Sequence, residues 1–170
     1  MSQSLAIVAL LGLLAQPNDA ELLSLPWKQF DQTLGSGWRV YACRKDYAGA
    51  ARLIETYLAR RTDLTPTQRA VSHFHAAAEL ARANHYQEAL RHLESAEVTP
   101  RSRGVPEDWN ELVIANRAFL QGDRQALLAS KQRVAAMTAP AFPHTADLLL
   151  EHLGEPYGAW DDEPTPAGCK

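Results

Sequence analysis

Apolar residues along this chain recur at steps of three and four, the spacing that lines one face of an α-helix. Tyr86, Ala89, Leu93 and Ala96 are one such set, and Tyr47, Ala50, Ile54 and Tyr57 another. No stretch alternates at every second position, Val and Ile are sparse, and Ala, Leu, Arg and Gln dominate, which favours helix over strand. The helical segments are separated by "TLGSGW" (33–38), "RTDLTPTQ" (61–68), "VTPRSRGVPED" (98–108) and "TAPAFPHT" (138–145). Thr65 followed by Pro66 predicts an N-cap and a first helical position. The pattern therefore predicts an all-α fold.

The two sets stand 39 residues apart, and a third, degraded set follows 38 residues later as Arg124, Leu127, Lys131 and Val134. Each is preceded by a short break, "RKD", "RAN" or "QGD", and each break by another helical segment. Those earlier segments carry Trp38 and Tyr41, then Ala77 and Leu80, then Ala115 and Ala118. The unit is helix, tight turn, helix. One such pair cannot bury its apolar face alone, so pairs are expected to stack, with small residues such as Ala50, Ala76, Ala77 and Ala89 letting helices approach.

This pattern resembles the tetratricopeptide repeat (TPR). The best copy is residues 70–100, where "ARANHYQEALRHLESA" matches the family's turn and packing positions and Pro100 stands near its closing proline. A fair copy spans about 31–63, and a third, about 108–138, is recognised through "FLQGDRQAL". The period exceeds the family's roughly 34 residues. Trp38, Ala77 and Ala115 replace the usual glycine, and Lys131 replaces a large apolar residue. The resemblance implies antiparallel hairpins stacked as a short right-handed solenoid, capped by a helix over about 145–154. It also implies a concave face lined by the first helix of each repeat: Arg39, Phe74, Ala78, Arg82, Trp109, Leu112, Asn116 and Phe119. Aromatic groups, arginine and one asparagine suit a peptide or protein segment; Trp109 and Phe119 equally suit core positions. The family's lysine and asparagine carboxylate clamp does not map, so a C-terminal peptide ligand is not expected.

The start of the chain adds a compartment question. "LAIVALLGLLA" (5–15) is too short to span a bilayer, which takes about 20 residues, but fits the apolar core of a secretory signal. Ala15 and Ala20 are cleavage candidates, although "MSQS" carries no Lys or Arg and Leu13 and Asn18 are not the ideal small residues. The alternative is a buried first helix broken by "QPND" (16–19). Residues 1–20 are expected to form a signal, 21–160 a single domain, and 161–170 a flexible acidic, Pro-rich tail. That places the mature chain in the periplasm or outside the cell, without a membrane span; the alternative is cytoplasmic. Cys43 and Cys169 form no CxxC pattern and are either a disulfide or two free thiols.

A net charge of −3 and a pI near 6.1 give no general attraction to nucleic acid or anionic membrane. Residues 71–96 hold four of the six histidines and invite a metal reading. His73 and His75, however, point about 200° apart on a helix. His75 and Glu79 share a face, but zinc usually takes three or four protein ligands. His73 is assigned to packing and His75 to an outward position. His144, Asp147 and Glu151 share a face beside His152 and could do acid–base work, although a solvated helix face explains them equally. Cys43, next to Arg44 and Lys45, is a weak candidate nucleophile. No nucleotide, zinc-protease or serine-hydrolase signature is present. Neither a catalytic residue, nor a metal site, nor a cofactor is expected. The expected function is a non-enzymatic protein-binding module. The alternatives are an immunity-type inhibitor of a secreted toxin, and a histidine-based metal protein or small hydrolase.

Overall fold

The computed structural model describes residues 18–98, 105–160 and 169. The apolar run at 5–15, Pro100 and nearly all of the acidic tail lie outside the described residues. Those described form α1 (Asp19–Ser24), α2 (Trp27–Asp31), α3 (Arg39–Ala42), α4 (Tyr47–Arg60), α5 (Pro66–Arg82), α6 (Tyr86–Ala96), α7 (Trp109–Gln121), α8 (Arg124–Ala135) and α9 (Thr145–Glu151). Among the described residues there is no β-strand, only an isolated bridge between Leu153 and Glu155.

The caps follow from the sequence. Thr65 accepts from the Gln68 N–H while the Gln68 side chain accepts from the Thr65 N–H, with Pro66 at the first position, which fixes the start of α5. Asn18 and Glu21 make the same reciprocal pair at α1. A cut after Ala20 would remove that cap, whereas one after Ala15 would leave it.

The 38- to 39-residue repeat is written into the backbone of three turns. Lys45, Asn84 and Gly122 hold positive φ angles of 60°, 63° and 70°. The next N–H in each turn reaches back five residues to the first helix: Asp46 to the Tyr41 carbonyl (3.1 Å), His85 to Leu80 (2.8 Å) and Asp123 to Ala118 (2.8 Å). This is the left-handed helix stop in which orphan carbonyls find donors. The chain reverses at once, and Asp46 and Asp123 cap the second helix by accepting from Gly49 and Ala126.

Helices touch in chain order, α3 on α4, α4 on α5, α5 on α6, α6 on α7 and α7 on α8, with α9 against both α7 and α8. The repeat positions supply the core between them. Ala50, Ile54, Tyr57, Ala89, Leu93, Ala96, Leu127 and Val134 are buried. Where the third copy degrades, Arg124 and Lys131 are exposed, and Lys131 pairs with Asp147 of α9.

Two expected helices are shorter than their periodicity suggests. Within 38–46 only Arg39–Ala42 is helical. The preceding Gly37 has φ +53°, and a side chain there would collide with the Phe30 backbone. The chain is thus held tight against α2 before α3 starts. The expected cap over 145–154 stops at Glu151, because the chain turns at Gly154 (φ +102°) and folds back. Cys43, just after α3, is joined to Cys169 by a disulfide with Cα atoms 5.3 Å apart across a sequence separation of 126.

Candidate functional site

The face expected to bind a partner is built from α5 and α7, and the chain itself occupies much of it. Trp109 and Leu112 are buried, and the Trp109 indole donates to the Ala96 carbonyl (2.9 Å). Its ring meets Phe74 edge-on at 5.4 Å. Asn116 and Phe119 are also buried. The segment after α9 covers them. The Tyr157 hydroxyl donates to Asn116 Oδ1 (2.6 Å), and the Tyr157 N–H points to the Tyr86 hydroxyl (3.4 Å). Tyr157 and Trp160 both stand edge-on to Phe119, and Trp160 stacks on His152. A gap of about 10 Å³ remains where Phe74, Ala78, Asn116 and Tyr157 converge, room for about one water. Phe74 and Ala78 stay half-buried at its edge.

Arg39 and Arg82 belong to a second, polar cluster. At its centre Asp31, at the end of α2, is fully buried. Its carboxylate accepts from Ser72 Oγ (3.2 Å) and Gln32 Nε2 (2.5 Å) and pairs with His75 Nδ1 (3.0 Å). Ser72 in turn accepts from the Trp27 indole (3.0 Å). Burial pushes the Asp31 carboxyl up, but His75, Gln32 and the Arg39 charge outweigh it and hold the group below its ordinary value. His75 is therefore not an outward residue. Its ring stands 5.2 Å from Trp38, because Trp27 and Asp31 of α2 meet α5 on the side that the repeat register leaves open. Asp31 and Ser72 were not legible as partners, since 41 residues separate them.

Next to this pair, Arg82 donates to Glu79 Oε1 (2.8 Å), and the Arg39 guanidinium lies 4.0 Å over the Trp38 ring. Burial raises the Glu79 carboxyl, although Arg82 opposes it. Glu79 Oε2, Arg39 Nη1 and Trp38 Nε1 are buried without a hydrogen-bond partner. His75 and Glu79 thus share a helical face as expected, but each is engaged by a protein group.

His73 turns the other way. Its Nδ1 lies 3.0 Å from His92 Nδ1 on α6, and His92 Nε2 lies 3.1 Å from Glu55 on α4. Burial, helped by the His92 and Arg69 charges, pulls His73 down to about 4. The folded value lies below the unfolded 6.5, so the neutral ring stabilises the fold fully above pH 6.5, and this is lost as pH falls toward 4. About 1–2 kcal/mol should disappear between pH 7.5 and 4.5 once partial solvent screening is allowed for. Urea midpoints at the two pH values measure it. His73→Leu should flatten that part of the profile, and an unchanged profile would refute the assignment.

The other candidates do not assemble. His144 and Glu151 are exposed, Asp147 is taken by Lys131, and His152 pairs with Glu155 (3.1 Å) beneath Trp160. Cys43 is in a disulfide and offers no thiolate nucleophile. Among the described residues no three His, Cys, Asp or Glu side chains converge as a metal cage. Nor is any described helix long and apolar enough to cross a membrane. No protein-family model, curated protein or solved structure matches this chain.

Proposed function

We propose that the chain is a TPR-like interaction module, its hairpins stacked as a short right-handed solenoid, which binds an extended protein segment on the face of α5 and α7. It has no chemistry of its own. The observation that carries the reading is the seating of Tyr157. An aromatic side chain in an irregular "EPYGAW" segment lies between the α5–α6 hairpin and α7, with its hydroxyl on the buried Asn116. A face that holds such a segment in cis has the chemistry to hold one in trans: an edge-on aromatic contact with Phe119, Phe74 bordering the gap beside the ring, and one amide acceptor. Export to an oxidising compartment is part of the same proposal, supported by the Cys43–Cys169 bond.

The test uses the full chain carrying Tyr157→Ala, which vacates the seat. A fluorescent peptide of residues 154–160 should bind this variant with measurable anisotropy change. It should bind the unmodified protein at least tenfold more weakly. The same peptide with alanine for tyrosine should not bind either. Equal behaviour of the two peptides, or no binding to the vacated protein while its helicity is intact, would refute the proposal.

A further inference from the structure

Along one helix, His73 and His75 point too far apart to share a metal ion. The fold makes a different pairing across the α5–α6 hairpin. We propose that His73 and His92 form a two-imidazole clip for a divalent transition-metal ion that favours right-angle planar coordination, Cu(II) or Ni(II).

The two donors already stand at a spacing that one ion can span, and the type of donor points to that class of ion. Metal–nitrogen bonds of about 2.0–2.1 Å put two nitrogens about 3.3 Å apart at a tetrahedral angle and about 2.9 Å apart at a right angle. The observed Nδ1···Nδ1 separation is 3.0 Å. That separation is the hydrogen bond of the empty pair, and it already falls within the roughly 2.9–3.3 Å that two nitrogens on one shared ion need. Square-planar nitrogen and oxygen ligation is the preference of Cu(II) and Ni(II), and Cu(II) binds such ligands most tightly among the first-row divalent ions.

Protonation suits the same role. The Glu55 carboxylate can only accept, so His92 Nε2 carries a hydrogen, and a metal ion would take the lone pair of Nδ1. A carboxylate behind a ligating histidine is the usual outer support for a metal ligand, because it fixes the tautomer and the ring. When both rings are neutral, the hydrogen shared in the empty pair is the one on His73 Nδ1. Moving that hydrogen to His73 Nε2 frees the second lone pair without net release of a proton.

The pair opens on a surface cleft of about 190 Å³, lined also by Glu55, Glu88, Arg91 and Ser95. Glu88 stands one turn before His92 on α6, and its contact with Arg91 is a long 3.7 Å between partly exposed groups. Such a pair is worth little and yields readily. Glu88 can therefore swing in as a third donor, with water filling the remaining corners. No third donor is in place before the ion arrives, so this is a clip that completes itself on binding, distinct from the α5–α7 face.

The experiment titrates untagged, metal-stripped protein, disulfide intact, with copper(II) chloride and nickel(II) chloride at pH 7.4 by calorimetry. One ion per chain is expected. His73→Ala and His92→Ala should each weaken binding at least tenfold, Glu55→Gln about tenfold, and the exposed His85→Ala not at all. Should the histidine variants fold poorly, electron paramagnetic resonance of the unmodified Cu(II) protein decides alone. Hyperfine coupling to two imidazole nitrogens supports the clip. Coupling to one or none, or affinity unchanged in both histidine variants, overturns it.

Discussion

Asp31→Ala is expected to lower the free energy of unfolding by about 3–5 kcal/mol, the cost of leaving several buried donors without their shared carboxylate. The carboxylate is fully buried and gathers Ser72, His75 and Gln32. Removing it leaves donors from α5 and the Trp27–Ser72 bond without their common acceptor, in a place water reaches poorly. Asp31→Asn keeps the shape and one acceptor oxygen, and should cost roughly half as much. The sign with pH is that of a depressed carboxylate. Its contribution is present above the unfolded value near 4 and is lost as pH falls through the lower folded value. That window lies below the one assigned to His73, so the two are separable in a pH series. Urea denaturation followed by circular dichroism reads both variants. A loss under 1 kcal/mol for the alanine variant would mean that the cluster is not a structural anchor.

The second large effect concerns the disulfide. Joining Cys43 to Cys169 closes a loop across 126 residues, for which chain-entropy arguments give about 5 kcal/mol and measured bonds usually less. Replacing both cysteines with serine should therefore cost about 3–5 kcal/mol. The bond anchors the chain end that follows Tyr157 and Trp160, so the α5–α7 face should also lose cover. Thermal unfolding of the oxidised protein and the double-serine variant gives the first number. Amide hydrogen exchange at residues 112–119 gives the second, expected to be faster in the variant. Equal midpoints together with equal exchange would show that the bond joins segments already held by packing.

The helices, their order and the hairpin repeat were legible because they rest on local rules. Thr65 and Pro66 announce a cap by their own chemistry, and a three-and-four spacing places Ala50, Ile54 and Tyr57 on one buried face wherever the helix lies. Even the degraded copy was readable, since Lys131 is exposed where an apolar residue would have been buried. The site was not legible in the same way. Trp109, Leu112, Asn116 and Phe119 follow a helical spacing along α7, but a period cannot say that Tyr157 and Trp160 return to cover Asn116 and Phe119. Nor could it say that α2 places Asp31 against His75, since that contact joins segments 44 residues apart with no shared pattern. The one available signal was compositional: Tyr157 and Trp160 are aromatic residues in an otherwise polar, Pro- and Gly-rich stretch.

From Thr67 to Ala83, not one residue of the chain is exposed. Around that single helix, Ser72 and His75 meet the first helices, His73 meets α6, and Phe74 and Ala78 border Tyr157. Most surface helices keep one side in water where substitutions are silent. Past Pro66, α5 keeps no fully exposed side, so it is the axle of the molecule. A change anywhere on it must be answered by a neighbour.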